Sequence, residues 1–327
     1  MKVAVTGGAG YIGSHAVIAL ADAGHQVVIL DDLSKGHPEA IRQHTFARVD
    51  LADEDRVLAV LKESGAEAVM HFAASAYVGE SVEQPEKYYF NNVVNTLRLL
   101  RAMRGLGISR FVFSGSCAVY GIPEKVPMTE DLPMRPISPY GHSKAVVEVI
   151  LANYAAAYGL RYAALRYFNA AGAMPDGSLG EDHAPETHLV PLVIQAALGV
   201  RESVRIYGTD YPTPDGTCVR DYVHVLDLAR AHVLALEALA DRPTMIYNLG
   251  TGRGHSVREV IAAVEGVSGR KVPVEEGPRR PGDPPALLAS PEKAKRELGW
   301  QPRFPELKQI VETAWKWHSA HPRGFQK

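Results

Sequence analysis

The glycine-rich stretch near residue 10 constrains this chain most. An apolar run, Val3-Ala4-Val5, passes directly into Thr6-Gly7-Gly8-Ala9-Gly10-Tyr11-Ile12-Gly13, and a helical pattern follows over Ser14–Ala23. Strand, tight turn and helix in this order are typical of a dinucleotide-binding loop. Its glycines allow the turn, the close approach of a pyrophosphate and close helix packing, and the free N–H groups at the helix start favour negative charge. The stretch therefore predicts that the chain holds a dinucleotide.

A carboxylate follows at the expected distance. A second strand-like run, Gln26–Leu30, ends at Asp31, and Asp32 comes next. In dinucleotide-binding folds an acid at this place accepts hydrogen bonds from the adenosine ribose hydroxyls. Two adjacent carboxylates would also repel a 2′-phosphate, which favours NAD over NADP. The alternative, an ordinary strand-to-helix turn followed by an acidic loop, does not account for the glycines and the acid together.

Apolar runs alternate with helical patterns along the first half of the chain. Strands are predicted at Lys2–Val5, Gln26–Leu30, Phe46–Val49, Ala68–Phe72, Arg110–Ser114 and Arg161–Arg166, and helices at Glu54–Glu63, Pro85–Leu106 and Ser138–Tyr158. This alternation predicts an α/β fold with a Rossmann-type doubly wound parallel sheet. Asp50-Leu51 and Phe72-Ala73-Ala74 each end a strand where the cofactor could lie, although a plain strand-to-loop transition explains them equally well.

The regular alternation stops after Asn169. Glycine, proline and acidic residues are dense over 172–186, and helices are then predicted at Pro191–Leu198, Leu226–Leu239, Ser256–Val267 and Pro291–Leu298, with a proline-rich loop at Gly277–Pro285. We expect an NAD-binding Rossmann domain over residues 1–170. A segment near 225–252 would return to it, since Ile246–Gly250 is typical of a core strand. A smaller, mixed and discontinuous C-terminal substrate-binding lobe would occupy residues 171–327.

Composition argues against several classes of function. The 35 basic residues nearly balance the 37 acidic ones without a long basic run, so we expect no nucleic-acid partner. No apolar run approaches the ~20 residues of a membrane span, so we expect no membrane partner. Cys117 and Cys218 cannot build a disulfide framework and no leader is evident, which favours a cytoplasmic location. The 13 histidines show no paired helical spacing and no cysteine company, so no metal is expected.

The candidate chemistry lies in Ser138-Pro139-Tyr140-Gly141-His142-Ser143-Lys144. A tyrosine four residues before a lysine, at a helix start, places both side chains on one face. The ammonium and the helix N-terminus are expected to move the tyrosine pKa from ~10 towards neutrality, which would make Tyr140 a general base. Ser116 follows a predicted strand at the edge where open α/β sheets bind ligands. We therefore predict Ser116, Tyr140 and Lys144 as catalytic residues.

Several segments together resemble the UDP-glucose (UDP-galactose) 4-epimerase family, within the extended short-chain dehydrogenase/reductases. Besides the glycine loop and Ser116 with Tyr140-x-x-x-Lys144, the resemblance is carried by Gly79-Glu80-Ser81-Val82, Asn91-Asn92-Val93-Val94, Arg166-Tyr167-Phe168-Asn169, Asp210–Thr217, Val219–His224 and Arg279-Arg280-x-Gly282-Asp283. It runs from the first strand to about Trp300. It implies tightly held NAD, a UDP-hexose substrate and a homodimer.

The motifs and the resemblance together predict two sets of binding residues. Those for NAD are Gly7, Gly10, Tyr11, Ile12, Gly13, Asp31, Asp32, Leu33, Ser34, Asp50, Leu51, Phe72, Ala73, Ala74, Asn91, Ser114, Tyr140, Lys144 and Phe168. Those for the UDP-sugar are Ser116, Tyr140, Asn169, His188, Leu189, Tyr207, Arg220, Arg280, Asp283 and Leu287. Two arginines on separate loops suit bidentate recognition of phosphate oxygens, although either one alone could be a surface ion pair.

The implied reaction is epimerisation at C4. Tyr140 would take the proton of the 4-hydroxyl while the hydride passes to NAD; the 4-ketose would then turn about its diphosphate anchor and accept the hydride on its other face. Leu287, the fourth residue after Asp283, stands where a tyrosine in the family leaves little room beside the sugar 2-position. We therefore also predict interconversion of UDP-GlcNAc and UDP-GalNAc, unless Leu287 is only a packing residue.

Other functions stay open at this point. A nucleotide-sugar 4,6-dehydratase shares the fold but needs an acid pair beside the strand-end hydroxyl, where this chain has Cys117-Ala118. A UDP-pentose or uronate 4-epimerase, a dehydrogenase that releases NADH and a non-catalytic NAD sensor are further alternatives. The sensor should lack the tyrosine–lysine pair, and the dehydrogenase should accumulate NADH.

Helical patterning supports the homodimer. The predicted helices Pro85–Leu106 and Ser138–Tyr158 carry apolar residues on more than one face, namely Val93, Val94, Leu97, Leu99 and Leu100 on the first and Val146, Val147, Val149, Ile150 and Leu151 on the second. One sheet-facing stripe does not need so many. We expect the surplus to meet the same helices of a second subunit in a two-fold contact; the alternative is deep burial within one chain.

Overall fold

The structure is a computed structural model, and it describes residues 1–280 and 282–325. Its strands are β1 (Lys2–Thr6), β2 (Gln26–Asp31), β3 (Thr45–Arg48), β4 (Ala68–His71), β5 (Arg110–Ser116), β6 (Arg161–Tyr167), β7 (Asn169–Ala171), β8 (Val204–Tyr207), β9 (Val219–His224), β10 (Thr244–Leu249), β11 (Gly254–Ser256), β12 (Val274–Gly277) and β13 (Ala286–Leu287). Its α-helices are α1 (Tyr11–Asp22), α2 (Pro38–Ile41), α3 (Glu54–Ser64), α4 (Val78–Glu83), α5 (Pro85–Tyr88), α6 (Asn95–Gly105), α7 (Pro139–Tyr158), α8 (Leu189–Leu198), α9 (Val225–Ala238), α10 (Val257–Ser268), α11 (Glu292–Leu298) and α12 (Leu307–Ala320).

Seven strands form one parallel sheet in the order β10-β6-β5-β4-β1-β2-β3. Because strands in such a sheet alternate their side chains between two faces, Val3 and Val5 join one apolar cluster and Ala4 joins the other. The chain proceeds to β2 and β3 on one side of β1 and to β4, β5 and β6 on the other. That reversal places a ligand crevice at the carboxyl ends of β1 and β4. The predicted α/β class with a Rossmann-type sheet is confirmed.

The predicted helix over 85–106 is divided into three pieces. Between α5 and α6 the chain forms a π-helical segment, Tyr89–Val94, whose wider turn carries Asn91 and Asn92. The buried Asn92 amide donates to Ser143 Oγ at 2.9 Å, and its Oδ1 accepts from the Ser75 N–H at 2.8 Å. An apolar periodicity near 3.6 does not distinguish a π turn from an α turn, so the sequence pattern could not predict it.

The second half of the chain is built around β9. This strand pairs with β7 and β13 in parallel and with β11 in the antiparallel direction, while β8 and β12 form a separate pair. Helices α8, α10 and α12 share an apolar cluster beside these strands. By contrast, α9 packs against α1 and β10 pairs with β6, so both belong to the main sheet. Among the described residues, no helix is both long and apolar enough to cross a membrane.

A buried ion pair fastens α7 to the sheet. Arg166 on β6 and Glu148 on α7 are each 3% exposed, and Arg166 Nη2 lies 2.6 Å from Glu148 Oε2. Arg166 Nε donates to Glu148 Oε1 at 2.9 Å, and Nη1 donates to the Tyr120 hydroxyl at 2.8 Å. That hydroxyl in turn donates to Asn248 Oδ1 on β10 at 2.7 Å. The network satisfies both charges and joins α7, β6, β10 and the short 3-10 turn that contains Tyr120, around the carboxyl edge of the sheet.

Breaking this pair should destabilise the fold. Glu148→Gln removes the negative charge and leaves Arg166 buried without its counter-ion, which we expect to lower the free energy of unfolding by about 3–5 kcal/mol. Glu276→Gln is the matched control, since Glu276 pairs with Arg258 on the surface and exposed pairs contribute less than about 1 kcal/mol. Urea denaturation of the two variants measures the difference. Equal losses in both would show that the buried pair has no special role.

Candidate functional site

Glycines shape the loop between β1 and α1. Gly7 has a φ of +71°, and a Cβ on it would lie 2.5 Å from the Ala73 nitrogen. A Cβ on Gly13 would lie 2.1 Å from the Gly7 carbonyl oxygen. Both positions therefore admit only glycine. Gly10 has ordinary dihedrals and caps α1, and the nearest atom to its Cβ would be 3.4 Å away, so its own chain does not require a glycine there. The resulting backbone cradle at a helix N-terminus fits a pyrophosphate.

Asp31 and Asp32 organise the loop after β2. Asp31 is buried, and its Oδ2 accepts from the Ala9 N–H at 3.0 Å while Oδ1 accepts from the Leu33 N–H at 2.9 Å. Burial raises the Asp31 pKa, and these two backbone donors oppose that effect. Asp32 Oδ1 accepts from the Ser34 N–H at 2.8 Å. The two carboxylates thus form one acidic turn beside the glycine cradle, as the predicted ribose contact requires.

A buried polar chain crosses the ends of β1 and β4. His71 Nδ1 lies 2.6 Å from Thr6 Oγ1, and its Nε2 lies 2.9 Å from Thr96 Oγ1. The Thr96 hydroxyl donates to the Asn92 carbonyl at 2.6 Å. Burial lowers the pKa of His71 to about 3, with a further contribution from the positive charge of Lys144. His71 is therefore neutral near pH 7 and holds the π-helical segment in place, a role that no sequence motif indicates.

The three predicted catalytic residues meet at the carboxyl end of β5. Ser116 is the last residue of that strand and caps the short 3-10 turn Cys117–Tyr120. Tyr140 and Lys144 lie one turn apart at the start of α7, which Ser138 caps by accepting from the Gly141 N–H. All three catalytic side chains are buried. The Lys144 ammonium donates to the Ser114 carbonyl at 2.9 Å and lies 5.9 Å from the centre of the Tyr140 ring.

The pKa shift of Tyr140 differs from the one expected from the sequence. Burial raises the pKa of Tyr140 to about 12, and hydrogen bonding to Ser116 opposes this only in part. Burial also lowers the pKa of Lys144 to about 7, against the attraction of Glu148. The sequence spacing correctly placed the pair on one helix face, but the expected shift of the tyrosine towards neutrality does not follow from the chain's own groups. Desolvation has the largest effect on the tyrosine pKa, and the Lys144 ammonium is hydrogen-bonded to the Ser114 carbonyl.

The predicted UDP-sugar residues form a second group. Arg220 on β9 pairs with Asp283 and donates to the Val219 carbonyl at 2.8 Å. The Arg280 guanidinium lies over the Tyr207 ring, 3.8 Å from its centre. The two arginines thus come from separate segments that Asp283 connects. The loop also contains Pro281, which lies outside the described residues.

Leu287 and Asn169 connect this group to the catalytic turn. Leu287 on β13 pairs in register with Arg220 on β9. Its side chain packs against the apolar cluster that contains Val119, Tyr120 and Phe168. Asn169 donates to the Asp221 carbonyl of β9 at 2.9 Å. The predicted specificity residue therefore lies between the arginines and the turn that follows Ser116.

The remaining predicted residues have varied surroundings. Tyr11 is buried and donates to the Gly172 carbonyl at 2.6 Å, Asn91 donates to Ser75 Oγ at 3.1 Å, and Phe72 packs against His232. Asp50 is exposed and Leu51 belongs to the core. Ile12, Ala73 and Ala74 are half-buried, Ser114 hydrogen-bonds Tyr167, and Leu189 begins α8. His188 contacts Glu181 and Glu186 on the loop before α8.

Comparisons with known proteins agree with this geometry. Residues 3–250 match the NAD dependent epimerase/dehydratase family. The chain is 50% identical over 326 residues to a UDP-glucose 4-epimerase of Halalkalibacterium halodurans, covering 99% of this chain and 98% of that protein. The UDP-glucose 4-epimerase from Brucella ovis in complex with NAD superimposes with a TM-score of 0.94 at 51% identity, covering 96% of this chain and 97% of that one. The Bifidobacterium longum enzyme in complex with NAD+ and UDP gives 0.95 at 39% identity, covering 99% and 100%.

The buried Lys144 makes a testable contribution to stability. Its folded pKa of about 7 lies below the ordinary 10.5, so the unfolded chain binds more protons between these values and stability rises with pH across that window. Lys144→Met removes this group. The free energy of unfolding of the variant should therefore exceed that of wild type by an amount that is largest below pH 7 and declines towards pH 10.5. Urea denaturation at several pH values measures the gain, with the exposed Lys62→Met as control. A gain that does not change with pH would contradict the prediction.

Proposed function

Because this chain belongs to the NAD-dependent epimerase/dehydratase family, we propose that it is an isomerase that uses NAD to interconvert UDP-glucose and UDP-galactose at C4. The observation that carries this proposal is the meeting of Ser116, Tyr140 and Lys144 beside the glycine cradle. UDP-glucose 4-epimerases of several bacteria match the chain at about half of all positions over nearly its full length. The residues of the cradle and of the acidic turn fit NAD.

The chain's own groups account for the steps around the sugar. When bound, NAD would supply the hydride acceptor and donor for C4 of the sugar. Tyr140 takes the proton of the 4-hydroxyl and gives it back, while Ser116 hydrogen-bonds the same oxygen. Lys144 Nζ lies 5.9 Å from the centre of the phenol ring and, when protonated, would favour the phenolate. Arg220 and Arg280 hold the diphosphate, so the hexose ring is free to turn and present its other face.

Turnover without added cofactor tests the reaction. The purified protein is incubated with UDP-galactose alone, and the products are separated by chromatography. The proposal expects UDP-glucose to form catalytically with no accumulation of NADH, since the redox change cancels in each cycle. Accumulating NADH would indicate a dehydrogenase instead, and loss of water from the sugar a dehydratase. Cys117 and Ala118, directly after Ser116, supply no acid for that elimination.

The sugar range is the finer part of the proposal. Leu287 is half-buried between Arg220 and the catalytic turn, so a larger side chain there would extend towards the sugar. Leucine leaves space that a tyrosine ring would fill, and overpacking a tight site costs about 1–3 kcal/mol. We propose that the enzyme also interconverts UDP-GlcNAc and UDP-GalNAc. A solved UDP-Glc/GlcNAc 4-epimerase from Campylobacter jejuni is 40% identical, with a TM-score of 0.86 over 98% of this chain and 99% of that one.

The homodimer is also a proposal, supported by exposed apolar side chains. Of the residues expected to face a partner, Leu99, Leu100, Val147 and Leu151 are buried within the chain. Val146 and Val149 stay 40% and 51% exposed on α7. They are joined by Val82 on α4 and Phe90 on the π-helical segment, at 65% and 55%, and α4 and the π-helical segment pack against α7. A self-complementary contact through α7 would cover these side chains.

The division into lobes and the cellular location are further proposals. Residues 1–170 with the returning segment 225–252 would form the NAD-binding domain, and the rest of 171–327 the substrate lobe. The pairing of β10 with β6 and the packing of α9 on α1 support this division. A cytoplasmic location agrees with two free cysteines.

Removing the Tyr140 hydroxyl tests the base. Tyr140→Phe should lower turnover by about 10²–10⁴-fold, the usual contribution of an acid–base group, while NAD and UDP still bind. Tyr158→Phe, on the exposed end of the same helix, is the matched control and should keep wild-type turnover. If turnover of Tyr140→Phe stayed within a factor of about two, the assignment would fail.

Filling the space at Leu287 tests the sugar range. Leu287→Tyr should lower kcat/KM for UDP-GlcNAc and UDP-GalNAc by about 10–200-fold, the range for a tight pocket. It should leave kcat/KM for UDP-glucose and UDP-galactose unchanged. Leu287→Met conserves volume and is the control. An equal loss on both sugar pairs would show that Leu287 only packs.

Light scattering at micromolar concentration tests the homodimer. We expect twice the 35.5 kDa mass of one chain. Val149→Asp should shift the protein towards the monomer because the new charge would be buried in the contact. Val200→Asp, equally exposed on a distant loop, should not. A monomeric wild type would refute the dimer.

A further inference from the structure

The loop before α8 gathers four potential ligands. Glu181, His183, Glu186 and His188 each offer one ligand atom, and these atoms lie within 4.8 Å of one another. Glu181 Oε1 is 3.2 Å from His183 Nδ1 and 2.7 Å from His188 Nδ1. The Glu186 oxygens are 3.6 Å and 3.3 Å from the same two nitrogens. Two imidazoles therefore face two carboxylates at one point.

The alternative is a cluster held together only by hydrogen bonds between the histidines and the carboxylates. The contacts observed in the described part of the chain leave some of the buried polar atoms without a well-aligned hydrogen bond. Glu181 Oε1 and His183 Nδ1 are buried and form no well-aligned hydrogen bond among the described residues, although Glu181 Oε1 lies 3.2 Å from His183 Nδ1 and 2.7 Å from His188 Nδ1. The Glu181 and His183 side chains are only 3% and 20% exposed. Buried polar atoms normally have partners, and a close pair that is misaligned for a hydrogen bond leaves both unsatisfied. A ligand between the four atoms would satisfy them together.

Charge balance favours a divalent cation. Two carboxylates meet two imidazoles at one point, and buried carboxylate charges need a partner. One divalent cation between the four ligand atoms would neutralise both carboxylates.

We propose that Glu181, His183, Glu186 and His188 bind one divalent transition-metal ion of the zinc type. A tetrahedral zinc with nitrogen and oxygen ligands at about 2.0–2.2 Å has ligand atoms roughly 3.3–3.6 Å apart. Three of the four nitrogen–oxygen separations lie at or near that range, and the fourth, at 2.7 Å, needs to open slightly. Mixed imidazole and carboxylate ligands suit zinc, cobalt and nickel, whereas calcium and magnesium prefer oxygen alone.

The surroundings indicate what the ion does. The Glu181 carbonyl accepts from Trp317 Nε1 of α12 at 3.0 Å, and the His183 ring packs edge-on against Tyr11 of α1 and against Tyr77. His188 is the residue that caps α8. Nearby Asp182 faces His37 instead, 3.4 Å away. The ion would tie the loop between two lobes and fix the start of α8, next to Tyr11 and Leu189, which the sequence predicts to contact cofactor and substrate. His188, assigned to the UDP-sugar from the sequence, would bind the ion instead. This role is structural and does not depend on the epimerase assignment.

Equilibrium dialysis tests the site. The purified enzyme, with its cofactor as isolated, is treated with a chelator, freed of it, and dialysed against buffered zinc chloride or magnesium chloride. We expect one zinc ion per chain by elemental analysis and no magnesium. Cobalt chloride should give the absorption bands of tetrahedral Co²⁺. Absence of stoichiometric zinc would overturn the proposal.

Matched variants locate the zinc. His183→Gln and Glu186→Gln should each weaken zinc binding by more than the roughly 10–100-fold typical of an outer-shell change. His255→Gln is the control, since His255 lies 4.0 Å from Glu259 in a histidine–glutamate pair on another surface. If the control lost as much affinity as the cluster variants, the metal would be bound non-specifically. Circular dichroism of each variant verifies folding, and the wild-type zinc stoichiometry and cobalt spectrum decide the question even if a variant unfolds.

Discussion

The position of the catalytic helix depends on the buried pair between Arg166 and Glu148. Glu148 lies one turn after Lys144 on α7, and Arg166 lies on β6, next to the strand that ends in Ser116. A bidentate contact at this place fixes both the rotation and the height of α7 over the sheet edge. Because Arg166 also holds Tyr120, the same guanidinium sets the 3-10 turn behind Ser116. One charge pair thus contributes to the position of all three side chains predicted to be catalytic.

Burial of that edge determines the protonation of the site. Tyr140 and Lys144 are both removed from water, and each shifts towards its neutral form. Both shifts oppose the proposed chemistry, because a general base must give up its proton and a lysine that assists must keep one. A positive charge bound beside Tyr140, as oxidised nicotinamide carries, would favour the phenolate. The chain's own groups favour the protonated tyrosine, so the proposed base role of Tyr140 would be coupled to binding of the cofactor.

The sequence predicted the parts that depend on short-range patterns. The β1 loop, the acid at Asp31 and the tyrosine–lysine pair are set by spacing within one strand–turn–helix unit or one helix turn, and the structure places them as expected. The sequence could not predict the π-helical turn at Asn92 or the buried hydrogen bonds of His71, because both depend on contacts between distant segments. The predicted direction of the Tyr140 pKa shift was wrong for a related reason. Spacing indicates which groups are near, but the depth of burial decides which electrostatic effect dominates.

Sequence pattern also failed to indicate that two histidines come together. Residues 181–188 lack helical spacing, and the chain there is a loop, so pattern alone argued against a ligand set. Folding brings His183 and His188 to one point because Glu181 is anchored by Trp317 and His188 is held at the start of α8. In β9 and β13 a comparable long-range register joins Arg220 to Leu287. Arg220, which would hold the diphosphate, and Leu287, which would limit the sugar, therefore lie on one pair of strands, and recognition of the two halves of the substrate would be structurally linked.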